Sequence, residues 1–155
     1  MSLESVKAHL AAIAPDLRVE EHGTSTATVE LAAAVHGVGP ERIAKTLSVR
    51  VDERVLLIVV RGDSRVDNRK MRDAFGGKAR MLGVEEVEMA TGHPVGGVCP
   101  FGLAAPLPIY CDVSLRGFDE VIPAAGSTQA SVRVDPVRMA ELVGASWVDV
   151  CREAG

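Results

Sequence analysis

The spacing of apolar residues changes period along this chain, and each change marks an element. Leu3, Val6, Leu10 and Ile13 recur at helical spacing, which predicts an amphipathic helix from Ser2 to Ala14. Met1-Ser2-Leu3 reads either as the start of that helix or as a leader to it. Pro15-Asp16 ends it. Leu17 to Glu21 predicts a short strand and His22-Gly23 a turn. Thr24 to Thr28 offers several capping hydroxyls to a small-residue helix, Val29 to His36, which Gly37 closes. A short helix is expected over Glu41 to Ala44. From Thr46 to Val51 branched or apolar residues alternate with polar ones, the period of a strand. Asp52-Glu53-Arg54 turns the chain into Val55 to Val60, which is apolar throughout. This hairpin is expected at the centre of a sheet, with Lys45 where helix gives way to strand.

The second half is more broken. Arg61 to Val66 reads as a loop, and Asp67 as the cap of a helix from Asn68 to Phe75 that Gly76-Gly77 stops. Ala79 to Met81 predicts a short strand and Val84 to Ala90 a helix. Leu107 to Asp112 predicts a strand whose Pro108 puts it at an edge or a strand start. One helical turn over Val113 to Phe118, strands over Glu120 to Pro123 and Gln129 to Val134, and a turn between them follow. Asp135-Pro136 starts a helix, Val137 to Val143, closed by Gly144, before a last short strand or turn to Val150. These elements predict one mixed, α+β-like α/β domain. Its six or seven strands are expected to be mostly antiparallel and curled toward a barrel, with helices outside.

Composition narrows the function classes. With 47% hydrophobic but only 3% aromatic residues, the core must be built from Val, Ala, Leu and Ile. No apolar run approaches a membrane span, and Lys7 and His9 argue against a signal peptide. Cys99, Cys111 and Cys151 lack metal-ligand spacing and fit free thiols in a reducing cytoplasm. His22, His36 and Cys111 match no ligand pattern, so no metal is expected, and no dinucleotide fingerprint suggests an organic cofactor. The net charge of −4 excludes a generic basic coat. Residues 61–83 nevertheless hold seven Lys/Arg against three Asp/Glu, a local +4 that could meet phosphates or could simply be a solvated helix face.

The candidate chemistry lies in Gly92-His93-Pro94-Val95-Gly96-Gly97-Val98-Cys99-Pro100-Phe101-Gly102. Four glycines and two prolines make this segment bent yet stiff. Such a segment can aim several N–H groups at one point. An ordinary tight connection is the plainer alternative. Lys45 is more often a surface residue with a packed stem than a functional one.

Ala44-Lys45-Thr46-Leu47 at the head of the first central strand, Gly96-x-x-x-Pro100 within the glycine-rich loop, and the late Gly126-Ser127 turn together resemble one family. The chain is similar, over roughly residues 17 to 150, to the YbaK family, also called the prolyl-tRNA synthetase-associated or insertion-type editing domain. The resemblance implies a deacylase that hydrolyses mischarged aminoacyl-tRNA, most often a prolyl tRNA carrying a wrong small amino acid. It implies Lys45 and Gly97 as catalytic residues, the lysine holding the 3′-terminal nucleotide and loop N–H groups binding the oxyanion. It implies substrate contacts from His22, Thr46, Gly96, Val98, Cys99, Pro100, Phe101, Gly126 and Ser127. The partners implied are the 3′ acceptor end of aminoacyl-tRNA and an aminoacyl-tRNA synthetase, in the cytoplasm and away from membranes. Family members use bound water or a substrate group in place of an enzyme nucleophile, and this chain shows no nucleophile elbow.

Two departures leave the amino acid open. The branch that clears cysteine carries a tyrosine in the strand before the capping threonines, where this chain has Arg18-Val19-Glu20-Glu21-His22. The branch that clears alanine carries a histidine in the late turn, where this chain has Ala124-Ala125-Gly126-Ser127. Two rival readings remain: a non-catalytic module that binds aminoacylated tRNA ends or nucleotides, and a thiol hydrolase with Cys99 as nucleophile and His93 as base.

Overall fold

The computed structural model describes residues 2–152; Met1 lies outside them. In chain order the elements are α1 (Ser2–Ile13), β1 (Val19–Glu21), α2 (Val29–His36), β2 (Ile43–Val51), β3 (Arg54–Arg61), α3 (Asn68–Phe75), β4 (Ala79–Met81), α4 (Val84–Thr91), β5 (Ile109–Asp112), β6 (Ile122–Pro123), β7 (Ala130–Val132), α5 (Pro136–Val143) and β8 (Ser146–Val148). Single 3₁₀ turns fill Pro40–Arg42 and Val113–Gly117. The architecture is mixed α/β.

The β2–β3 hairpin is the axis of a six-stranded sheet. Its antiparallel register runs from Ala44 opposite Arg61 to Val51 opposite Arg54. Asp52 takes a positive φ of 56° in the tight connection, which an Asp tolerates because its short side chain can bond locally. β5 pairs parallel with β3 and β8 parallel with β5, so the order is β4-β2-β3-β5-β8. β6 pairs parallel with the start of β2, and β4 pairs antiparallel with its end. β1 and β7 form a separate two-stranded sheet.

Two expectations are corrected. The pairings leave the large sheet open, with β4 and β8 at its ends, so it does not close into a barrel. Nor is it mostly antiparallel, because β5, β6 and β8 each return through long connections that permit parallel pairing. Alternation in sequence reports which face a residue takes and is silent about strand direction.

The apolar run of β3 is explained by burial on both faces. Val59 joins Val6 and Leu10 of α1, Met139 and Ala140 of α5, and Cys99 and Phe101 of the glycine-rich loop. On the other face Leu56, Ile58 and Val60 pack with Met71 and Phe75 of α3. α3 is set by its ends: the Asp67 carboxylate accepts from the N–H of Arg69 and of Lys70, and Gly76 closes it at φ +75°. β2 begins at Ile43, earlier than its alternation suggests, which leaves Lys45 inside the strand. The expected helix over Glu41 to Ala44 is only the preceding 3₁₀ turn.

Candidate functional site

A cavity of about 310 Å³ opens beside the middle of β2. Alternation puts Ala44, Thr46 and Ser48 on one face of the strand, where they form its floor. Thr26 to Val29 and Ala32 form one wall, and Met81, Leu82, Val84 and Val87 another. Val95, Gly96 and Val98 of the glycine-rich loop close a third side.

The phase of the β2 ladder explains why the cavity lies there. Gly62 N–H donates to Ile43 O, and Leu82 N–H donates to Ser48 O. In an antiparallel pair successive residues direct their main-chain groups to opposite sides. The odd residues of β2 therefore bond to β3, and Ala44, Thr46 and Ser48 look the other way. On that side β6 covers only Ile43 and Ala44, and β4 covers only Val49 to Val51. Between them the outer edge of β2 is uncovered, and the N–H and C=O of Thr46 face the opening. Thr46 Oγ1 and Ser48 Oγ are also buried without a hydrogen-bond partner among the described residues.

Lys45 borders the same cavity. Its Nζ donates to Ser64 O at 2.7 Å, and no ion pair forms to it among the described residues. An ammonium has three donors, so this bond leaves two. Burial lowers the Lys45 pKa from its ordinary value, with smaller opposing effects from nearby charges. It is the one charged residue among those that line the cavity.

The glycine-rich loop is held at several points. Gly92 closes α4 with φ +79°. His93 is buried, its Nε2 bonded to Phe101 O at 2.7 Å and its Nδ1 to Ser2 Oγ at 2.5 Å. Gly96 takes φ +89°, and a Cβ there would lie 2.9 Å from the Ala27 Cβ. Gly97 packs against the late turn: it accepts from Gly126 N–H, and a Cβ on it would lie 2.7 Å from Ser127 N. The Gly97 N–H donates to Pro94 O, so it is not free to bind an oxyanion. The N–H groups of Gly96 and Val98 bond to no acceptor among the described residues.

Of the residues singled out in the sequence, Lys45, Thr46, Gly96 and Val98 meet around the cavity. Gly97, Gly126 and Ser127 lie behind its wall as packing partners of one another. Cys99 and Phe101 are fully buried in the main core. Pro100 borders a separate hollow with Ser5 and His9. His22 sits beside His36 with ring centroids 4.9 Å apart. Among the described residues no group of three His, Cys, Asp or Glu side chains converges as a metal site. No helix among them is long and apolar enough to cross a membrane.

The Cys99–His93 pair does not make a nucleophile and base. Burial pushes the Cys99 thiol up to about 12. A carbonyl only accepts, so the bond to Phe101 O requires His93 Nε2 to carry the proton, and burial lowers the pKa of this imidazole. That nitrogen, 3.8 Å from Cys99 Sγ, cannot act as the base. In the basic segment Arg61 pairs with Asp63, Lys70 with Asp149 and Arg80 with Glu86, while Arg69 and Arg72 are exposed on α3.

Sequence reasoning missed Ser48 and the two walls built from Thr26 to Val29 and from Met81 to Val87. The run of hydroxyls at Thr24 to Thr28 was the available signal, and capping explains only part of it. Thr28 does cap α2, but Thr26 and Ala27 line the cavity.

Comparison with known proteins shows the family. Residues 24–142 match the aminoacyl-tRNA editing domain family. The chain is 47% identical, over 99% of both chains, to the uncharacterized protein YwhH of Bacillus subtilis (strain 168). It is 31% identical over 130 residues to the proline–tRNA ligase of Desulfovibrio desulfuricans, of which it spans 21%. A crystal structure of a candidate trans-editing enzyme for prolyl tRNA synthetase superposes with a TM-score of 0.91 at 34% identity, covering 98% of each chain. The matched segment begins in the threonine wall and takes in β2, the glycine-rich loop and the late turn: the chain belongs to the aminoacyl-tRNA editing domain family.

Proposed function

We propose that this protein hydrolyses the ester linking a wrong amino acid to a tRNA, with a prolyl tRNA carrying a small amino acid as the leading substrate. The observation that carries this reading is one small cavity lined by Lys45, whose ammonium keeps two donors beyond its bond to Ser64 O, and by Gly96 and Val98, whose N–H groups bond to no acceptor among the described residues. Its volume suits a small acyl group, at the low end of ligand pockets. An aminoacyl ester is already activated, so positioning and oxyanion stabilisation suffice without an enzyme nucleophile. Water adds to the ester carbonyl carbon, and the Gly96 and Val98 N–H groups stabilise the oxygen as it becomes negative. Lys45 holds the 3′-terminal nucleotide beside the ester. The ribose oxygen then leaves with a proton, giving free amino acid and tRNA. Likeness to the candidate trans-editing enzyme and to proline–tRNA ligases supports action beside a synthetase.

The test is a deacylation panel. One tRNA for proline is charged with each of several small amino acids, and ester loss is followed with and without protein. Accelerated loss from at least one member is expected. Intact esters across the whole panel, with binding retained, would establish a binding module in place of a hydrolase.

A further inference from the structure

The Lys45 ammonium is placed by a main-chain oxygen, Ser64 O, in the loop between β3 and α3. Both arms of that loop are tied down. On the first arm Ser64 N–H donates to Arg61 O, Gly62 N–H to Ile43 O, and Arg61 N–H to Ser114 Oγ at 3.4 Å. On the second, Arg152 N–H donates to Arg65 O and Asp67 N–H to Val150 O, and Val66 bridges to Cys151. One side chain reaches both sets of ties: Asp112, which is 1% exposed. Its Oδ2 accepts from Ser114 N–H at 2.9 Å, and its Oδ1 accepts from Val150 N–H at 2.8 Å.

Among the described residues no cation pairs with this carboxylate, and burying an unpaired charge is costly. Capping the 3₁₀ turn over Val113–Gly117 does not require it, since serine or asparagine caps as well. Two separate N–H groups, one leading to each arm, do require it, because a carboxylate presents two acceptor oxygens. The Cys151 thiol stands beside Asp112 and Ser114, and burial and the Asp112 charge push its pKa up to about 12, so it stays neutral there.

We propose that Asp112 is a positioning residue for deacylation: by fixing both arms of the loop it holds Ser64 O where the Lys45 ammonium meets the cavity. This rests on the deacylase reading and adds to it the group that orients the lysine. Asp112 does not line the cavity, so its effect on the reaction passes through Lys45. A lysine stem is long and flexible, and without a fixed acceptor its head turns to water. Small displacements of a positioned group lower the rate steeply. Asparagine at this site keeps one acceptor oxygen and turns an NH₂ toward the other N–H, which frees one arm.

The experiment is a double-mutant cycle of Asp112→Asn with Lys45→Met, read by single-turnover deacylation of the ester that the wild-type protein hydrolyses fastest. Asp112→Asn alone is expected to slow turnover about tenfold, within the coupling found between residues of one hydrogen-bond network. In the Lys45→Met background it should change the rate by less than about threefold, because the group it positions is gone. A merely structural role would slow Lys45→Met further by the same factor. That outcome overturns the inference and leaves the deacylase reading standing, and so does an Asp112→Asn rate within threefold of wild type. Ser114→Ala, which frees only Arg61 N–H, supplies a second cycle if Asp112→Asn does not fold. A smaller loss that vanishes in Lys45→Met is expected, and an unchanged rate or a loss that persists overturns the inference. A further readout is independent of turnover. The nitrogen NMR signal of the Lys45 ammonium, identified by its absence in Lys45→Met, should show slowed hydrogen exchange in the wild type and exchange like a surface lysine in Asp112→Asn. Unaltered exchange overturns the inference. Hydrolysis of no ester in the wider panel overturns the deacylase reading, and the exchange measurement then decides by itself whether Asp112 places Lys45.

Discussion

Lys45→Met isolates the ammonium from its stem, because methionine keeps most of the packed aliphatic length. The charge is held in place by one bond, from Nζ to Ser64 O at 2.7 Å, and two donors stay available for the substrate. Removing one preorganised electrostatic contact from a transition state costs about 10²- to 10³-fold in rate, so a hundredfold loss of deacylation is expected. Stability should barely change. The lost bond contributes about 1–3 kcal/mol, but the variant also no longer buries a cation, and the two effects oppose one another. A further signature comes from pH. Burial lowers the Lys45 pKa, so the charged form gives way to the neutral one at a pH below the ordinary lysine value of about 10.4. Turnover that needs the ammonium should therefore fall on the alkaline side below that value, after subtraction of spontaneous ester hydrolysis, and Lys45→Met should lack that limb. The assay pairs single-turnover deacylation across pH with denaturant unfolding of the same preparations. Activity within threefold of wild type would refute the role given to Lys45, and so would activity and stability falling in parallel.

Other perturbations test the frame around that charge. Gly96→Ala forces a side chain into φ +89° and 2.9 Å from Ala27, so a loss of about 2–4 kcal/mol is expected from strain and overpacking, read from the denaturant midpoint at unchanged slope. An unchanged midpoint would show that the loop and the threonine wall are not in close contact. Cys99→Ser should keep most activity, since its thiol lies in the core and its nearest acceptor, Phe101 O, also suits a hydroxyl. A dead variant, or an acyl group trapped on Cys99, would reinstate the thiol mechanism. Reversing charge at both Arg69 and Arg72 should weaken tRNA binding and flatten its salt dependence, since both are exposed on the basic segment. Unchanged affinity across salt concentrations would make that segment a solvated helix face.

Local signals carried much of the fold, and the signals that failed were those of long range. The β2–β3 hairpin was legible because alternation ended at Asp52-Glu53 and a wholly apolar run followed. α3 was legible from Asp67 and the Gly76-Gly77 stop, and the structure places both caps there. Parallel pairing of β5, β6 and β8 was not legible, because strands of two to four residues carry too little pattern to specify a partner. The site shows the same division. Lys45 and Thr46 were readable from a motif, and Gly96 and Val98 from a cluster of glycines. Ser48 looked like one more polar position of an alternating strand. Only the termination of β4 and β6 on either side of it turns that position toward a cavity.

The interrupted cover along β2 also bears on whether a foreign strand could pair with this sheet. A run of unpaired main-chain groups invites a foreign strand, and proteins commonly guard such edges with charge, proline or brevity. Here the protection is brevity. Only Lys45 to Leu47 lie between the two covered ends, a run of about 10 Å at strand spacing, since Ser48 O already accepts from Leu82 N–H, and β6 and β4 stand at either end as stops. An intruding strand of ordinary length would collide with both before it could align. The same break that opens the cavity is too short to template aggregation. Lengthening it by unravelling β4 would remove that safeguard together with the Met81–Leu82 wall.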